Sequence, residues 1–317
     1  MTPSRRWISG SLLLATSACL APPLQASCGG SFCSVNTQWE TQGAWTGSGL
    51  RIKLDYASID QNQLRHATRK VAPEGIAGTI DELDARNHTV NAAFDYSLNP
   101  DWAISLQVPF IQRDHDHVVN DVPPVYAAWK ISGLGDMRLL ARRQWPLTPA
   151  SSAGIRFGVK APTGKIDATN AEGVLAERSL QTGSGTTGAI VSAYYYRQLE
   201  GNATTAFVQT LWQRPVTQRN GYEPGQLVSA DIGLRYAVTL DTSVLLQTNL
   251  LWKDRDQGVN AEPEESGGRY VYLSPGINHA LTPRLQVYGF VQLPLYQYVN
   301  GTQLTAGKSI MVGLSWR

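Results

Sequence analysis

Few residues in this chain of 317 amino acids have the types and spacing that chemistry requires. The densest cluster is Asp114-His115-Asp116-His117, where histidines alternate with aspartates. In an extended backbone His115 and His117 point the same way, and two imidazoles side by side favour copper or zinc. His66, in another polar stretch, is a candidate third ligand. No further ligand has a fixed spacing, so an ordinary polar surface loop is the alternative.

The sequence predicts no enzyme and no nucleic-acid partner. Ser184 lies between two glycines, but a serine hydrolase needs an ordered nucleophile, base and orienting group. No Gly-x-Ser-x-Gly motif occurs, so this serine indicates a flexible loop. Basic residues are dispersed along the chain without a clustered patch, which argues against nucleic-acid binding.

The N-terminus has the composition of a secretory signal peptide over residues 1–26. Arg5 and Arg6 precede a stretch of apolar or small residues over 7–21, and Ala26 offers a small residue for cleavage. The mature chain is then expected to start with a periplasmic or lumenal segment over 27–49. That segment contains Cys28 and Cys33, for which a disulfide is expected in an oxidising compartment and a metal or redox pair is the alternative.

The remaining chain, 50–317, alternates short apolar segments with turn sequences. No run of about eighteen apolar residues follows the signal, so no helical membrane span is predicted. Short turns are predicted at 99–101, 146–151, 200–202, 239–241 and 281–283, and long polar loops at 60–84, 115–135, 165–185, 215–226, 256–268 and 298–308. Strands are predicted to begin near Leu50, Asn87, Trp102, Met137, Ala153, Thr187, Ala203, Leu227, Thr242, Arg269, Arg284 and Ser309.

Within these segments every second residue is apolar, as expected where one strand face meets lipid. Such stripes include Trp102, Ile104, Leu106, Val108 and Phe110; Ala153, Ile155, Phe157, Val159 and Ala161; and Leu285, Val287, Val291, Leu293 and Leu295. The last strand, with Ile310, Val312, Leu314 and Trp316 on one face, has the form of a closing strand that the barrel-assembly machinery engages.

These patterns predict an all-β fold: a transmembrane antiparallel up-and-down β-barrel of about 12 strands, with short periplasmic turns and long external loops. The expected location is the outer membrane of a Gram-negative bacterium. A soluble sandwich or lipocalin-like barrel would alternate as well, but it would not explain the loop asymmetry or the terminal strand.

The alternation also predicts which side chains face the lumen. The inward list is Arg51, Lys53, Asp55, Asp95, Arg138, Arg142, Arg156, Lys160, Arg197, Asp231, Arg235, Lys253 and Arg284. Bases dominate it, although the mature chain holds 25 basic and 25 acidic residues once Arg5 and Arg6 are removed, so acids collect in stretches such as 81–84 and 262–265. The selectivity candidates are Arg51, Lys53, Arg138, Arg142, Arg156, Lys160 and Arg235.

Two interpretations of this basic lumen remain open. Rings of arginine and lysine in a pore favour anions. Alternatively, the bases form structural ion pairs with Asp55, Asp95, Asp231 and acidic loops that fold inward.

Three glycine-containing motifs carry a resemblance to a known family. They are Gly133-Leu134-Gly135-Asp136, the stretch from Gly158 to Gly164, and Gln181-Thr182-Gly183-Ser184-Gly185. Their order resembles the outer-membrane transporter family named for the meta-pathway of phenol degradation. The resemblance implies an outer-membrane location and uptake of small hydrophobic or aromatic compounds.

The resulting hypothesis is a channel or transporter that passes a small solute, anionic or aromatic, by passive diffusion through a basic lumen. Its expected partners are the lipid bilayer, the solute and the assembly machinery, and no cofactor is required. Residues 165–185 would gate or line the entrance. The alternative is a non-conducting barrel that binds a metal ion or a partner protein through Cys28, Cys33 and the external histidines. A plug formed by the segment 27–49 would favour gating or binding.

Overall fold

The computed structural model describes residues 35–43, 48–73, 80–120, 122–201, 203–259 and 261–317, so the predicted signal peptide, Cys28 and Cys33 lie outside the described residues. Two short 3-10 helices cover Trp39–Gln42 and Pro263–Glu265. The strands are β1 (Gly49–Ala67), β2 (Arg69–Lys70), β3 (Ile80–Ser97), β4 (Trp102–Val119), β5 (Val125–Leu134), β6 (Arg138–Thr148), β7 (Ser151–Lys160), β8 (Gly188–Gln198), β9 (Thr204–Pro215), β10 (Tyr222–Glu223), β11 (Leu227–Ala237), β12 (Thr242–Lys253), β13 (Gln257–Gly258), β14 (Gly268–Ala280) and β15 (Leu285–Trp316). None of the helices in the described part of the chain is long and apolar enough to cross a membrane.

All of these strands except β10 and β13, which pair with each other, form one antiparallel sheet. The sheet closes on itself, because β1 pairs with β3 on one side and with β15 on the other. The element β15 is a hairpin. Its first arm pairs with β14 and its second with β1, and Gly289 of the first arm lies against Met311 of the second. Gly301, with φ of 60°, lies between the arms in a conformation that favours glycine. The wall consists of twelve antiparallel strands in the described chain, if the two-residue β2 is left out, the two arms of β15 count separately and β5 and β6, which both pair with β4, count as one. An even number is what antiparallel closure requires.

Side-chain caps at the short turns explain where several strands begin. The side-chain oxygen of Asn99 accepts hydrogen bonds from the backbone N–H groups of Asp101 (3.0 Å) and Trp102 (2.9 Å). The hydroxyls of Thr239 and Thr282 accept two backbone bonds each in the same way. These caps reverse the chain within a few residues, which confirms the predicted short turns at one end of the barrel.

The predicted alternation holds along most strands. On the last strand Ile310 is 48% exposed and Trp316 is 45% exposed, while inward Lys53 is 4% exposed and Arg156 is 2% exposed. Two inward assignments are wrong. Arg197 is exposed, since every second residue of β8 from Gly188 to Tyr196 is buried and Arg197 falls on the opposite face. Arg284 is exposed in the turn before β15.

Three of the predicted long loops are largely strands, and those predictions are wrong. The stretch 115–135 is covered by β4 and β5, 60–84 is mostly β1 and β3, and 298–308 belongs to β15. The acidic stretch 81–84 is therefore part of β3, with Glu82 fully buried. Above the bilayer an outward residue need not be apolar, so the lipid pattern ends while the strand pairing continues.

The barrel interior is filled from both ends. From the side of the short turns, residues 35–43, called the plug below, insert Val35 and Trp39 among Leu245, Tyr288 and Phe290. From the other side, residues 161–187, called the inner loop, place Ala176 and Leu180 against an apolar patch of the tall wall formed by Leu64, Ala85, Trp129, Ile131 and Leu304.

Candidate functional site

The plug is fixed in the lumen by polar contacts to the wall. The backbone N–H of Asn36 donates to Oε1 of Gln247 (3.2 Å), and Nε2 of Gln247 donates back to the carbonyl of Asn36 (2.9 Å). Within the plug, Gln42 donates to the same carbonyl (2.7 Å), and the Thr41 hydroxyl donates to the carbonyl of Gln38 (2.8 Å). These bonds satisfy buried backbone groups and orient the short helix that carries Glu40.

Glu40 points its carboxylate at the basic wall. Four inward-facing bases lie around it, and they are called the basic ring below: Arg51, Lys53, Arg142 and Arg156. Nη1 of Arg51 lies 3.7 Å from Oε2 of Glu40, and both side chains are buried. Arg142 and Arg156 are opposite each other on β6 and β7, and they line one cavity together with Glu40 and Arg51.

The electrostatics of Glu40 follow from this surrounding charge. Burial by itself raises the pKa of Glu40. The charges of Lys53, Arg51, Arg156 and Arg142 outweigh burial and lower its pKa to about 2. Glu40 is therefore ionised at neutral pH, and it neutralises part of the positive charge of the basic ring.

Other acids neutralise the ring only in part. Nζ of Lys53 lies 3.8 Å from Oδ2 of Asp95 and donates to the plug carbonyl of Thr37 (3.3 Å). Arg142 donates to Oε1 of Gln144 (3.0 Å). In the described part of the chain, no carboxylate oxygen lies within 4.0 Å of the Arg142 or Arg156 guanidinium.

A second polar centre, called the Asp136 hub below, anchors the inner loop. Asp136 lies between β5 and β6, and its carboxylate forms an ion pair with Lys160 at 2.7 Å. The same carboxylate accepts hydrogen bonds from the backbone of Gly164 (3.1 Å) and from the backbone and hydroxyl of Ser184 (2.9 and 2.7 Å). Lys160 also donates to the Ser184 hydroxyl. One carboxylate thus joins the wall to both ends of the inner loop.

The glycines of this region permit a close backbone approach. A Cβ atom added to Gly164 would lie 2.5 Å from Cα of Gly183, so neither position tolerates a side chain. The Thr163 hydroxyl donates to the carbonyl of Gly135 (2.8 Å) and accepts from the N–H of Met137 (2.9 Å). The three motifs that carry the family resemblance therefore meet at one place. Ser184 lies in a loop there, as predicted, and its hydrogen bonds to Asp136 tie that loop to the wall.

The prediction that the histidines lie in external loops is wrong, because all three lie on strands. His115 and His117 are both buried on the inner face of β4, with ring centroids 5.7 Å apart, and both rings contact Trp129. His66 is exposed on β1, where its Nδ1 forms a hydrogen bond with the Thr302 hydroxyl at 3.1 Å. Within the described ranges, no group of three His, Cys, Asp or Glu side chains is placed to hold a metal ion.

The seven selectivity candidates all lie on the inner face, but in three places. Four form the basic ring, and Lys160 belongs to the Asp136 hub with Arg138 opposite it in the register. Arg235 lies apart near the end of β11, where it donates to the Thr205 hydroxyl (3.4 Å). Sequence reasoning missed Glu40, because no periodic pattern marks the plug. The sequence showed Asp136 only as the last residue of a glycine-containing motif, without indicating its partners.

Comparison with known proteins identifies the family. A family profile described as "Putative MetA-pathway of phenol degradation" matches residues 124–311, more than half of the chain. The chain belongs to this family. The matched region contains the whole Asp136 hub. No curated protein matches the sequence.

Solved structures share the fold. An outer membrane channel from Pseudomonas putida F1 is similar with a TM-score of 0.63 and 15% identity, covering 85% of this chain and 96% of that chain. The toluene transporter TbuX of Ralstonia pickettii has a TM-score of 0.46 and 8% identity, over 93% of this chain and 97% of that chain. The closed barrel and its apolar outer belt place the protein in the outer membrane of a Gram-negative bacterium, as the sequence predicts.

Proposed function

We propose that the protein is a passive outer-membrane channel for small anionic solutes. The basic ring is its selective constriction, the plug gates the path from one end, and the inner loop narrows it from the other end. The family description refers to phenol degradation, which fits a solute that is also aromatic. Transport of this kind needs no catalytic residue and no cofactor.

One observation carries this proposal. The basic ring holds four bases around Glu40, and among the described residues the acids near them are fewer. Those acids are Glu40, Asp95 and Asp55, and the Asp55 carboxylate accepts a hydrogen bond from the Tyr288 hydroxyl. Positive charge therefore remains in the constriction, and it attracts anions and repels cations.

The two interpretations of the lumen predict different selectivities. If every base were held in a structural ion pair, the net charge of the constriction would be near zero, and the wild-type channel would discriminate little between anions and cations. Arg156 is 2% exposed and lines the cavity beside Glu40. No carboxylate oxygen of a described residue lies within 4.0 Å of its guanidinium nitrogens. Arg156 is therefore the residue whose charge acts most directly on the path.

The test is ion selectivity in a planar bilayer under a salt gradient. The wild-type channel should show a reversal potential of anion-selective sign, and Arg156→Gln should move it toward zero. Salt screens such charges over about 10 Å at about 0.1 M, so the effect should weaken as the salt concentration rises. Arg197→Gln, which removes an outward-facing arginine, is the matched control and should leave the reversal potential unchanged. A cation-selective wild type would refute the proposed role of the basic ring.

A further inference from the structure

The two consecutive plug residues Trp39 and Glu40 have opposite chemistry and occupy two different pockets. Trp39 is fully buried in an aromatic pocket formed by Leu245, Tyr288 and Phe290. Glu40 points into the cavity of the basic ring. The plug thus presents an aromatic ring and a carboxylate, joined by a short stretch of chain, to two pockets of the barrel wall.

The aromatic pocket matches the shape of a flat ring. The indole of Trp39 meets Tyr288 edge to face, with centroids 4.9 Å apart and planes at 72°. It stacks on Phe290 at 6.3 Å with planes at 25°. Edge-to-face and stacked contacts are the arrangements that aromatic rings prefer, so another aromatic ring would be accepted in the same place.

The basic pocket matches a carboxylate. Arg51, Arg142 and Arg156 line the cavity into which Glu40 projects, and arginine is the side chain best suited to carboxylate recognition. With Glu40 in place, the four bases of the ring face three carboxylates among the described residues. If the plug withdrew, they would face two, Asp55 and Asp95, and a solute carboxylate would replace the lost charge.

We propose that Trp39-Glu40 acts as an internal surrogate ligand, which occupies the sites for the ring and the carboxylate of an arylalkanoate solute. The inference rests on the proposed channel function and names its substrate class. A solute with both groups competes with the plug for both pockets, so binding of the solute and release of the plug are one equilibrium. An alkyl spacer between ring and carboxylate is needed, because side chains of adjacent residues diverge.

The test is a binding titration of the full-length protein in detergent, with 4-phenylbutyrate as the probe. Butyrate lacks the ring and 4-phenylbutanol lacks the charge, and each should bind the wild type at least about tenfold more weakly than the probe. Glu40→Gln should tighten binding of the probe about tenfold, because a weaker internal competitor leaves more of the protein able to bind. Arg156→Gln should weaken it about tenfold.

Glu200→Gln, in an exposed turn, is the matched control and should leave the affinity unchanged. Heat-modifiable migration on a gel verifies that each variant is folded, and the comparison of three probes on the wild type needs no variant. Equal affinity of wild type and Glu40→Gln, or binding of the alcohol as tight as that of the acid, would overturn the surrogate-ligand proposal. Conductance of chloride, measured separately, tests the channel function: competition without conductance would refute only the passive channel.

Discussion

Replacement of Asp136 by asparagine should release the inner loop from the wall. Asparagine keeps the size of the side chain but removes the charge, so the ammonium of Lys160 would be left buried without its counter-ion. The side chains of Lys160 and Asp136 are each 9% exposed, and their ion pair measures 2.7 Å. The hydrogen bonds from Gly164 and Ser184 to the carboxylate would also weaken.

The expected loss of unfolding free energy follows from the burial of the ion pair between Asp136 and Lys160. Removal of one partner of a buried ion pair costs about 3 kcal/mol or more, because the remaining charge stays desolvated. The exposed pair of Asp101 and Arg143, at 3.2 Å, provides a matched control, since its side chains are 41% and 28% exposed. Asp101→Asn should cost less than about 1 kcal/mol, because solvent screens that pair.

Two measurements detect the effect. Denaturant titration in detergent gives the free energy of unfolding, and trypsin reports local release through cleavage after Arg178, which is now held by bonds to the carbonyls of Ser184 and Arg219. The double variant Asp136→Asn with Lys160→Met should recover much of the loss, since the ammonium that Asp136→Asn leaves without a counter-ion is then removed. If Asp136→Asn altered neither the unfolding free energy nor the cleavage, the Asp136 hub would not be what holds the loop.

Two further predictions concern the plug and the closing strand. The pKa of Glu40 is about 2 in the lumen against an ordinary value near 4.5, so its ionised form stabilises the closed plug above about pH 4.5, and this contribution is lost as the pH falls toward 2. Conductance should therefore rise over that acid range in the wild type, whereas Glu40→Gln should be insensitive to it; a wild type with constant conductance would contradict the assignment. Deletion of Trp316 and Arg317 should abolish assembly, measured by heat-modifiable migration, because Trp316 pairs with Ile52 at barrel closure and Arg317 donates to the carbonyls of Arg284 and Pro283. A normally migrating truncated barrel would show that this terminus is not the assembly signal.

The local sequence pattern was sufficient to predict the strands of the membrane-embedded part of the wall. Strand starts near Trp102, Leu227 and Thr242 were predictable because lipid demands an apolar residue at every second position and capped turns interrupt that period. The parts of β1, β3 and β4 that rise above the bilayer were not predictable in this way. Their outer faces meet water, so a polar sequence there fits a strand as well as a loop.

The sequence by itself determined that the chain forms a closed membrane barrel and that most of the predicted bases face inward, because both properties follow from alternation along single strands. Only the tertiary structure decided which acidic and polar groups contact those bases. Glu40 lies among bases from β1, β6 and β7, and Asp136 joins residues from 24 and 48 positions further along the chain. Such contacts depend on how the plug and the inner loop fold into the lumen, and these segments have no repeating pattern, since neither has to alternate between lipid and water.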